Sequence, residues 1–561
     1  MDPSSDLDIK SDLPSITDVE VMEKHFDKIP HEALETSHII WEINDWAGLQ
    51  DKVNSPPFQC GGQTWRILLF PKGNNSNGDF VSAYCEVVPP EDADDQWSVC
   101  AQFILGVGNS SEPESNHFQQ ASHRFYKGET DWGFSRMIDL KQLRSPSTSR
   151  PRPILEDNTL TMSLYVRVIK DPTGVLWHNF VNYDSKKQTG YVGLLNQGAT
   201  CYMNSLLQSL YFTNYFRKAV YQIPTKDDTP HNSVALALQR VFLQLQNSDV
   251  AVGTNELTKS FGWDSIDSFM QHDIQEFNRV LQDNLEGKMK GTDAEGAIQR
   301  LFVGKMKSYI TCIDVHYESS RVEDYYDIQL NVKGCRDVRE SFEKYVEVEF
   351  LDGENKYMAE GHGLQDAKKG VIFDSFPPVL HLQLKRFDYD IMRDAMVKIN
   401  DRYEFPDTIN LDEFVSLDAE RTEPYDYVLH GVLVHSGDLH GGHYFALLKP
   451  KPDGDWYKFD DDRVTPAMEN EVFEDNFGGE VNHSAGYRPN TRAMKRFSNA
   501  YMLVYVRKSR LPEILGDVTV DDIPDHLRQR QQNETDAQVA ATKKRIEQDS
   551  QIVFQVSLHF S

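Results

Sequence analysis

A polar, glycine-bearing loop runs straight into a stretch of helical period between Gly190 and Asn214, GYVGLLNQGATCYMNSLLQSLYFTN, and a cysteine sits at the junction. Met203, Leu206, Leu207 and Leu210 recur at helical spacing, while Gly198, Ala199 and Thr200 read as a loop ending in an N-cap. Cys201 is therefore expected as the first residue of an amphipathic helix. The amide groups and dipole at a helix start stabilise negative charge, and the thiolate is the nucleophilic form of cysteine. Asn196, five residues upstream, carries an amide donor able to fold back onto the oxyanion formed when Cys201 attacks a carbonyl, beside the backbone N–H of Cys201. For any one of the six cysteines the plainer role is burial in a core. What turns Cys201 toward chemistry is a base far downstream. HSGDLHGGHYFALL offers His435, His440 and His443, and WYKFDDD follows with Asp460, Asp461 and Asp462. His443 is favoured because Gly441 and Gly442 before it leave backbone room for an extended substrate tail. Its Nδ1 is expected to need an orienting acceptor. Strand alternation puts Asp460 and Asp462 on one face and Asp461 on the other, so spacing alone does not choose between them.

The elements that must position these groups follow from the rest of the chain. At 561 residues it exceeds what one core serves, and 39% hydrophobic residues suffice for burial in two or three domains. The 58 basic against 87 acidic residues give a formal charge of −29, which argues against nucleic acid or an anionic membrane as the main partner and for basic protein segments. No run of 18 apolar residues and no basic-then-apolar amino end are present, so the chain is expected inside the cell, in nucleus and cytoplasm. The cysteines show no framework spacing, which suits a reducing compartment.

Residues 1–36 are polar and acidic and are expected to form a disordered arm. Over 37–170, HIIWEI, TWRILLFPKG, FVSAYCEVV, SVCAQFILGV, WGFSRMI and LTMSLYVRVI are strand-like runs separated by turn formers, the pattern of an antiparallel sandwich. Residues 171–189 read as a linker. From 190 to 508 a helical first part gives way to a sheet-rich region, in which LFVGKMKSYITCIDV, YYDIQLNV, SFEKYVEVEFL and VIFDSFPPVLHLQLKRF read as strands. A helix starting near Ser268 carries the polar cluster Gln271, His272, Asp273, Gln275 and Glu276. Residues 509–561 read as a charged linker helix ending in one strand, IVFQVSLHF, the possible start of a further domain.

GLLNQGATCYMNSLLQSLYF, QHDIQEF, VLHLQLKRF, GDLHGGHY and WYKFDDD, in that order, resemble the boxes of the ubiquitin-specific cysteine proteases. The resemblance implies an α+β, papain-like catalytic domain with a β-rich substrate-holding region, no cofactor, and ubiquitin and ubiquitinated proteins as partners. It selects Asp460 to orient His443, with Asp461 secondary, and gives Asp273 the basic tail of ubiquitin to bind. Gln271 and His272 flank that acid, and Gly441, Gly442 and Tyr444 line the tail channel. The chain departs from its relatives where many carry two C-x-x-C pairs for structural zinc: Cys312 remains, but Val315, Met358 and Gly361 stand at the other positions. With only His316 and His362 nearby, no metal is expected and packing must replace it. TWRILLFPKGN, HRFYKGETDWGFSRMI and LYVRV resemble the MATH, or TRAF-like, peptide-binding sandwich, as found before the protease in some members. There Asp131 and Trp132 match the groove for serine-containing peptides; the alternative is a Trp132 buried in the core. The expected activity is hydrolysis of the (iso)peptide bond after the terminal glycine of ubiquitin, with targets recruited by the sandwich. The alternatives are a catalytically silent adaptor and a hydrolase of another ubiquitin-like modifier.

Overall fold

The computed structural model describes residues 15–74, 78–147, 150–262, 274–438, 441–481 and 494–559. The chain divides into two compact units, one reaching Asn182 and the other beginning at Tyr183.

The first unit is an antiparallel β-sandwich. One sheet orders its strands Ala33–Ile43, Leu160–Ile169, Ser98–Gly108 and Asn116–Tyr126; the other orders Val53–Asn54, Gln63–Phe70, Phe80–Val88 and Asp131–Asp139. Alternate side chains of both sheets, among them Trp65, Ile67, Phe103, Leu105, Leu164 and Val166, fill the space between them. All six apolar runs expected in this region lie on these strands. Asn116–Tyr126 was not expected: it pairs along its whole length with Ser98–Gly108, yet its sequence NHFQQASHRFY carries no two-residue alternation.

The expectation of a disordered arm is corrected over its described part. A short helix, Val19–Glu23, leads into a strand that already begins at Ala33. Ile16, Met22 and Phe26 are buried, the last two against Ile104 and Tyr165 on the outer face of the sandwich. The Tyr165 hydroxyl donates to the Ile16 carbonyl at 2.8 Å, and the Arg167 guanidinium lies 4.2 Å from the Phe26 ring centroid. A polar segment with three apolar anchors is ordered because each buried side chain of that size is worth about 1.5–3 kcal/mol, enough to offset the entropy of a short tether.

In the second unit the helix Cys201–Phe212 is buried at every position, which corrects the expectation of one buried face. It lies between other helices, chiefly Asn214–Tyr221 and Ile274–Met289, and a large mostly antiparallel sheet. That sheet orders Ile328–Asn331, Val379–Lys385, Ser498–Arg507, Asp426–Gly437, Gly442–Leu448, Trp456–Asp460 and Arg463–Ala467. Leu433, Met502 and Val504 face the helices, while Val432, Val434, Leu503 and Tyr505 face a second core. A sheet covered on both faces explains continuous apolar runs such as AYMLVYV.

The region expected to hold substrate contains a separate sheet ordering Glu318–Tyr325, Gly304–Cys312, Ala367–Ser375 and Glu349–Leu351. The first five residues of SFEKYVEVEFL, expected as strand throughout, belong to the helix Val338–Tyr345, where Asp337 accepts from the Glu340 amide and Phe342 is buried, and its last three form the strand Glu349–Leu351. Around the broken C-x-x-C positions, Cys312, Ala359 and Ala367 form a small core with Val315, Tyr317, Leu351 and Tyr357 packed on it. At the carboxyl end, Ile514, Leu515, Ile523 and Leu527 join the main core, so that segment is more than an exposed linker. The strand expected at IVFQVSLHF is corrected: residues 552–559 continue the helix Asp525–His559.

Phe26→Ala should destabilise the sandwich by about 3 kcal/mol, the scale of an aromatic deleted from a core. Native-state hydrogen exchange along 98–108 and 160–169 measures this; exchange as slow as in the parent would return the segment to a loosely attached arm.

Candidate active site

Cys201 is buried and opens its helix as the sequence predicts. Thr200 holds the N-cap position without a side-chain cap bond; its hydroxyl instead accepts from the Gln197 amide at 3.0 Å. The loop before it is shaped by Asn196, whose Oδ1 accepts from Gly198 N at 2.8 Å and Thr200 N at 3.3 Å. Asn196 Nδ2 donates to Asp461 Oδ2 at 2.8 Å, leaving its second N–H as the donor an oxyanion could use.

The base comes from the strand Gly442–Leu448. His443 Nε2 donates to Asp460 Oδ1 at 2.5 Å, which corrects the expectation that Nδ1 meets the orienting acceptor. Nδ1 is the nitrogen left for the sulfur, and it lies 4.0 Å from Asp461 Oδ2. The hydrogen bond with Asp460, and after it the one with the Cys201 sulfur, raise the His443 pKa to about 10. Burial alone would raise Asp460, but the His443 hydrogen bond and the Lys458 ammonium outweigh it and hold the carboxyl well below the usual carboxylate range. Lys458 Nζ sits 2.9 Å from Asp460 Oδ2 and 4.2 Å from the Phe445 ring centroid. The site is thus an imidazole ring between a carboxylate and the Cys201 sulfur, the arrangement in which an oriented base activates a cysteine nucleophile.

Asp460 ends its strand, and Asp461 turns out of it with φ +50°. That turn gives Asp461 more to do than the secondary role expected of it. Its Oδ1 accepts from Asn204 Nδ2 at 2.9 Å, its Oδ2 from Asn196, and its backbone carbonyl from the Leu194 amide at 2.8 Å. At Gly193 a Cβ would stand 2.2 Å from that same carbonyl, so only glycine admits the approach. Asp462 is exposed. Asn204 and Lys458 were missed by sequence reasoning. Their signals were their spacings, Asn204 one helical turn after Cys201 and Lys458 two strand positions before Asp460.

His435 is excluded as the base because it is buried, with its ring 4.7 Å from that of Tyr444, and burial pulls it down to about 4. Its ring also explains one glycine. A Cβ on Gly442 would lie 2.0 Å from His435 Nε2, whereas one on Gly441 would meet nothing within 4 Å. Gly441 therefore leaves open backbone beside His443, while Gly442 seats the ring of His435. Tyr444 packs between His435 and Tyr501 as a half-buried wall. His440, Gln271, His272 and Asp273 lie outside the described residues.

Among the described residues, the one group of three or more side chains close enough to share a metal ion is His443, Asp460 and Asp461. Lys458, Asn196 and Asn204 already occupy its carboxylates.

In the sandwich Trp132 is 42% exposed, which removes the core alternative. Its ring stacks on His123 at 4.1 Å and an interplanar angle of 3°. Burial lowers His123 to about 4, so the stacked imidazole is neutral near pH 7. Asp131 pairs in register with Glu86, and burial, then the Glu86 charge, raise its pKa. An indole face and a carboxylate thus share one strand edge.

Because its pKa is raised, His443 protonation stabilises the fold fully below about pH 6.5. That contribution is lost as pH rises through about 10. NMR titration of the His443 ring should show it protonated well above neutrality, and Asp460→Asn should return it by more than one unit toward about 6.5. A ring titrating near 6.5 in the unaltered protein would remove the ion pair.

The sequence profile described as "Ubiquitin carboxyl-terminal hydrolase" matches residues 192–505, and that described as "MATH domain" matches residues 38–166. Ubiquitin carboxyl-terminal hydrolase 15 of Schizosaccharomyces pombe is 54% identical over 559 residues, covering 94% of this chain and 49% of its own. The protein of the same name in Saccharomyces cerevisiae is 52% identical over 529 residues, covering 90% and 43%. Ubiquitin carboxyl-terminal hydrolase 7 of Drosophila melanogaster is 48% identical over 509 residues, covering 90% and 42%. The chain spans about half the length of the curated relatives it matches. With the profile covering more than half of its residues and a cysteine, histidine and aspartate assembled within it, the chain belongs to the ubiquitin carboxyl-terminal hydrolase family.

Proposed function

We propose that the chain is a deubiquitinating cysteine protease that hydrolyses the (iso)peptide bond after the terminal glycine of ubiquitin. The observation that carries this reading is the His443 Nε2–Asp460 Oδ1 hydrogen bond of 2.5 Å, with the imidazole raised to about 10 by Asp460 and the Cys201 sulfur. In this reading the Cys201 thiolate attacks the carbonyl carbon, and the oxyanion takes the Cys201 backbone N–H and the free N–H of Asn196 Nδ2. The His443 imidazolium protonates the departing lysine amine as the carbon–nitrogen bond breaks. Neutral His443 then takes a proton from water as it attacks the thioester, the carbon–sulfur bond breaks, the thiolate and imidazolium are restored, and the ubiquitin carboxyl group loses its own proton to solvent. Asp460 keeps the ring oriented. This ion pair supports an enzyme over a silent adaptor.

Asp273, with Gln271 and His272, is assigned to the basic tail of ubiquitin, Gly441 and Tyr444 to the channel beside it, and the finger-like sheet to the globular body. The exposed Trp132 and Asp131 support recruitment of targets through peptides bound at the sandwich. The order of a MATH domain and these boxes resembles that of the herpesvirus-associated ubiquitin-specific protease, and we assign the chain to nucleus and cytoplasm. No described helix is long and apolar enough to cross a membrane.

Ubiquitin bearing a terminal electrophile should label the protein once, and Cys201→Ala should abolish labelling; labelling that persists sinks the nucleophile. Asn196→Ala should slow turnover on the order of 10²-fold, as loss of an oxyanion donor does. Asp273→Arg should lower kcat/KM for a fluorogenic ubiquitin conjugate by at least about 30-fold, since a charge-assisted contact broken on one side costs about 2–5 kcal/mol. Hydrolysis unchanged by that reversal would pass the role to Glu276.

A further inference from the structure

The strand paired with the one that carries His443 is held at its end by a lysine on a different element. Lys398 ends the small hairpin Phe387–Asp390 and Ala395–Lys398, in which it pairs with Phe387. The base of that hairpin is rigid: Arg386 is fully buried and donates to the carbonyls of Ile399 at 3.2 Å and Asp401 at 2.6 Å, and the Ile399 amide donates to the Arg386 carbonyl at 2.6 Å. From there Lys398 Nζ donates to three carbonyls, His435 O at 3.1 Å, Gly437 O at 2.8 Å and Phe497 O at 2.6 Å. An ammonium has three N–H groups, and all three are used.

The acceptors are not scattered. His435 and Gly437 flank Ser436, and the register partner of Ser436 across the ladder is His443. On the other side of Asp426–Gly437 the neighbouring strand Ser498–Arg507 reaches only to the Ser436–Ser498 pair, with Phe497 just beyond it. Lys398 therefore caps the ladder at its open end, where the backbone carbonyls of two strands converge and further strand partners run out. His443 is the second residue of its own strand, beside the turn that closes the hairpin. Asp460 and Asp461 orient its ring, but the backbone beneath it is fixed from the other edge.

We infer that Lys398 is a positioning residue for His443, acting through the end of the strand Asp426–Gly437; the inference rests on the deubiquitinase reading for its kinetic consequence and on geometry alone for its structural one. Burial, and then the Arg386 guanidinium, pull Lys398 down to about 7, while Asp438 opposes them. Its surroundings thus work against the third donor. Arginine, which keeps its charge in proteins, is then the informative rescue.

Lys398→Met should lower kcat on a fluorogenic ubiquitin conjugate about 10-fold or more while KM stays within about 2-fold, because a small displacement of the base reaches the transition state and not ground-state binding. Lys398→Arg should recover most of that loss. Independently of activity, amide exchange at 435–437 and 442–444 should quicken about 10-fold in Lys398→Met, with 98–108 in the sandwich unchanged. If Lys398→Met does not fold, Lys398→Gln takes its place against the same thresholds. Kinetics and exchange like the parent's, a rise in KM at constant kcat, or an arginine variant no better than methionine would overturn the inference. An unaltered chain that does not cleave the conjugate would defeat the deubiquitinase reading instead, and the exchange measurement would still decide Lys398.

Discussion

The Asp461 carboxylate ties together two parts of the chain that meet only through the fold. Its partners Asn196 and Asn204 stand 265 and 257 positions earlier, one in the nucleophile loop and one in the first turn of the nucleophile helix. Each bond to an ionised acceptor of this kind contributes about 1.5–3 kcal/mol. At 13% exposure this side chain is well shielded from competing water. The backbone carbonyl adds a third tie to Leu194, and all three converge on one residue in a left-handed turn. Packing brings the helix of Cys201 onto the strand of His443, and this convergence ties the loop before the helix to the turn after Asp460.

The same economy explains why the nucleophile helix is polar and yet wholly buried. Asn204 reaches Asp461, Gln208 Nε2 donates to the Val192 carbonyl at 3.2 Å, and the Ser205 hydroxyl donates to the Cys201 carbonyl at 2.9 Å. A helix apolar on every side would pack as well but could rotate or slide. One whose buried amide donors reach acceptors on neighbouring segments, as Asn204 Nδ2 and Gln208 Nε2 do, is held in register, because a shift leaves those donors unsatisfied. The position of Cys201 is therefore set by side chains that never touch the reacting atoms.

Much of this was legible in the sequence, for physical reasons that also explain what was not. Cys201 at a helix start follows from apolar spacing and turn residues, and the apolar runs of the sandwich declare themselves because each strand has one face in a core. Strands without that contrast stayed hidden. Asn116–Tyr126 is polar with few fully buried positions, and Glu318–Tyr325 is largely exposed. Conversely, alternation misled at SFEKYVEVEFL, where an N-cap aspartate and one buried phenylalanine were enough for a helix. Asp460 and Asp461 could not be separated by strand period because the strand ends between them. That boundary is set by the tie to the nucleophile loop, a contact no local pattern records.

The sheet Glu318–Tyr325, Gly304–Cys312, Ala367–Ser375 and Glu349–Leu351 shows what packs around the broken C-x-x-C positions. A closed four-thiolate zinc site contributes folding energy outright, on the order of 10 kcal/mol, and fixes its ligands within a few tenths of an ångström. Here Cys312 alone of those four positions is buried, in a small core with Ala359 and Ala367, and Tyr317 is set against the rings of Tyr357 at 6.3 Å and His362 at 5.9 Å. Aromatic contacts of this kind contribute about 0.5–1.5 kcal/mol each beyond the area they bury. This part of the sheet is thus held by several weak, non-directional contacts, whereas His443 is held by directional ones, its own hydrogen bond with Asp460 and the ties that Asp461 makes to Asn196 and Asn204.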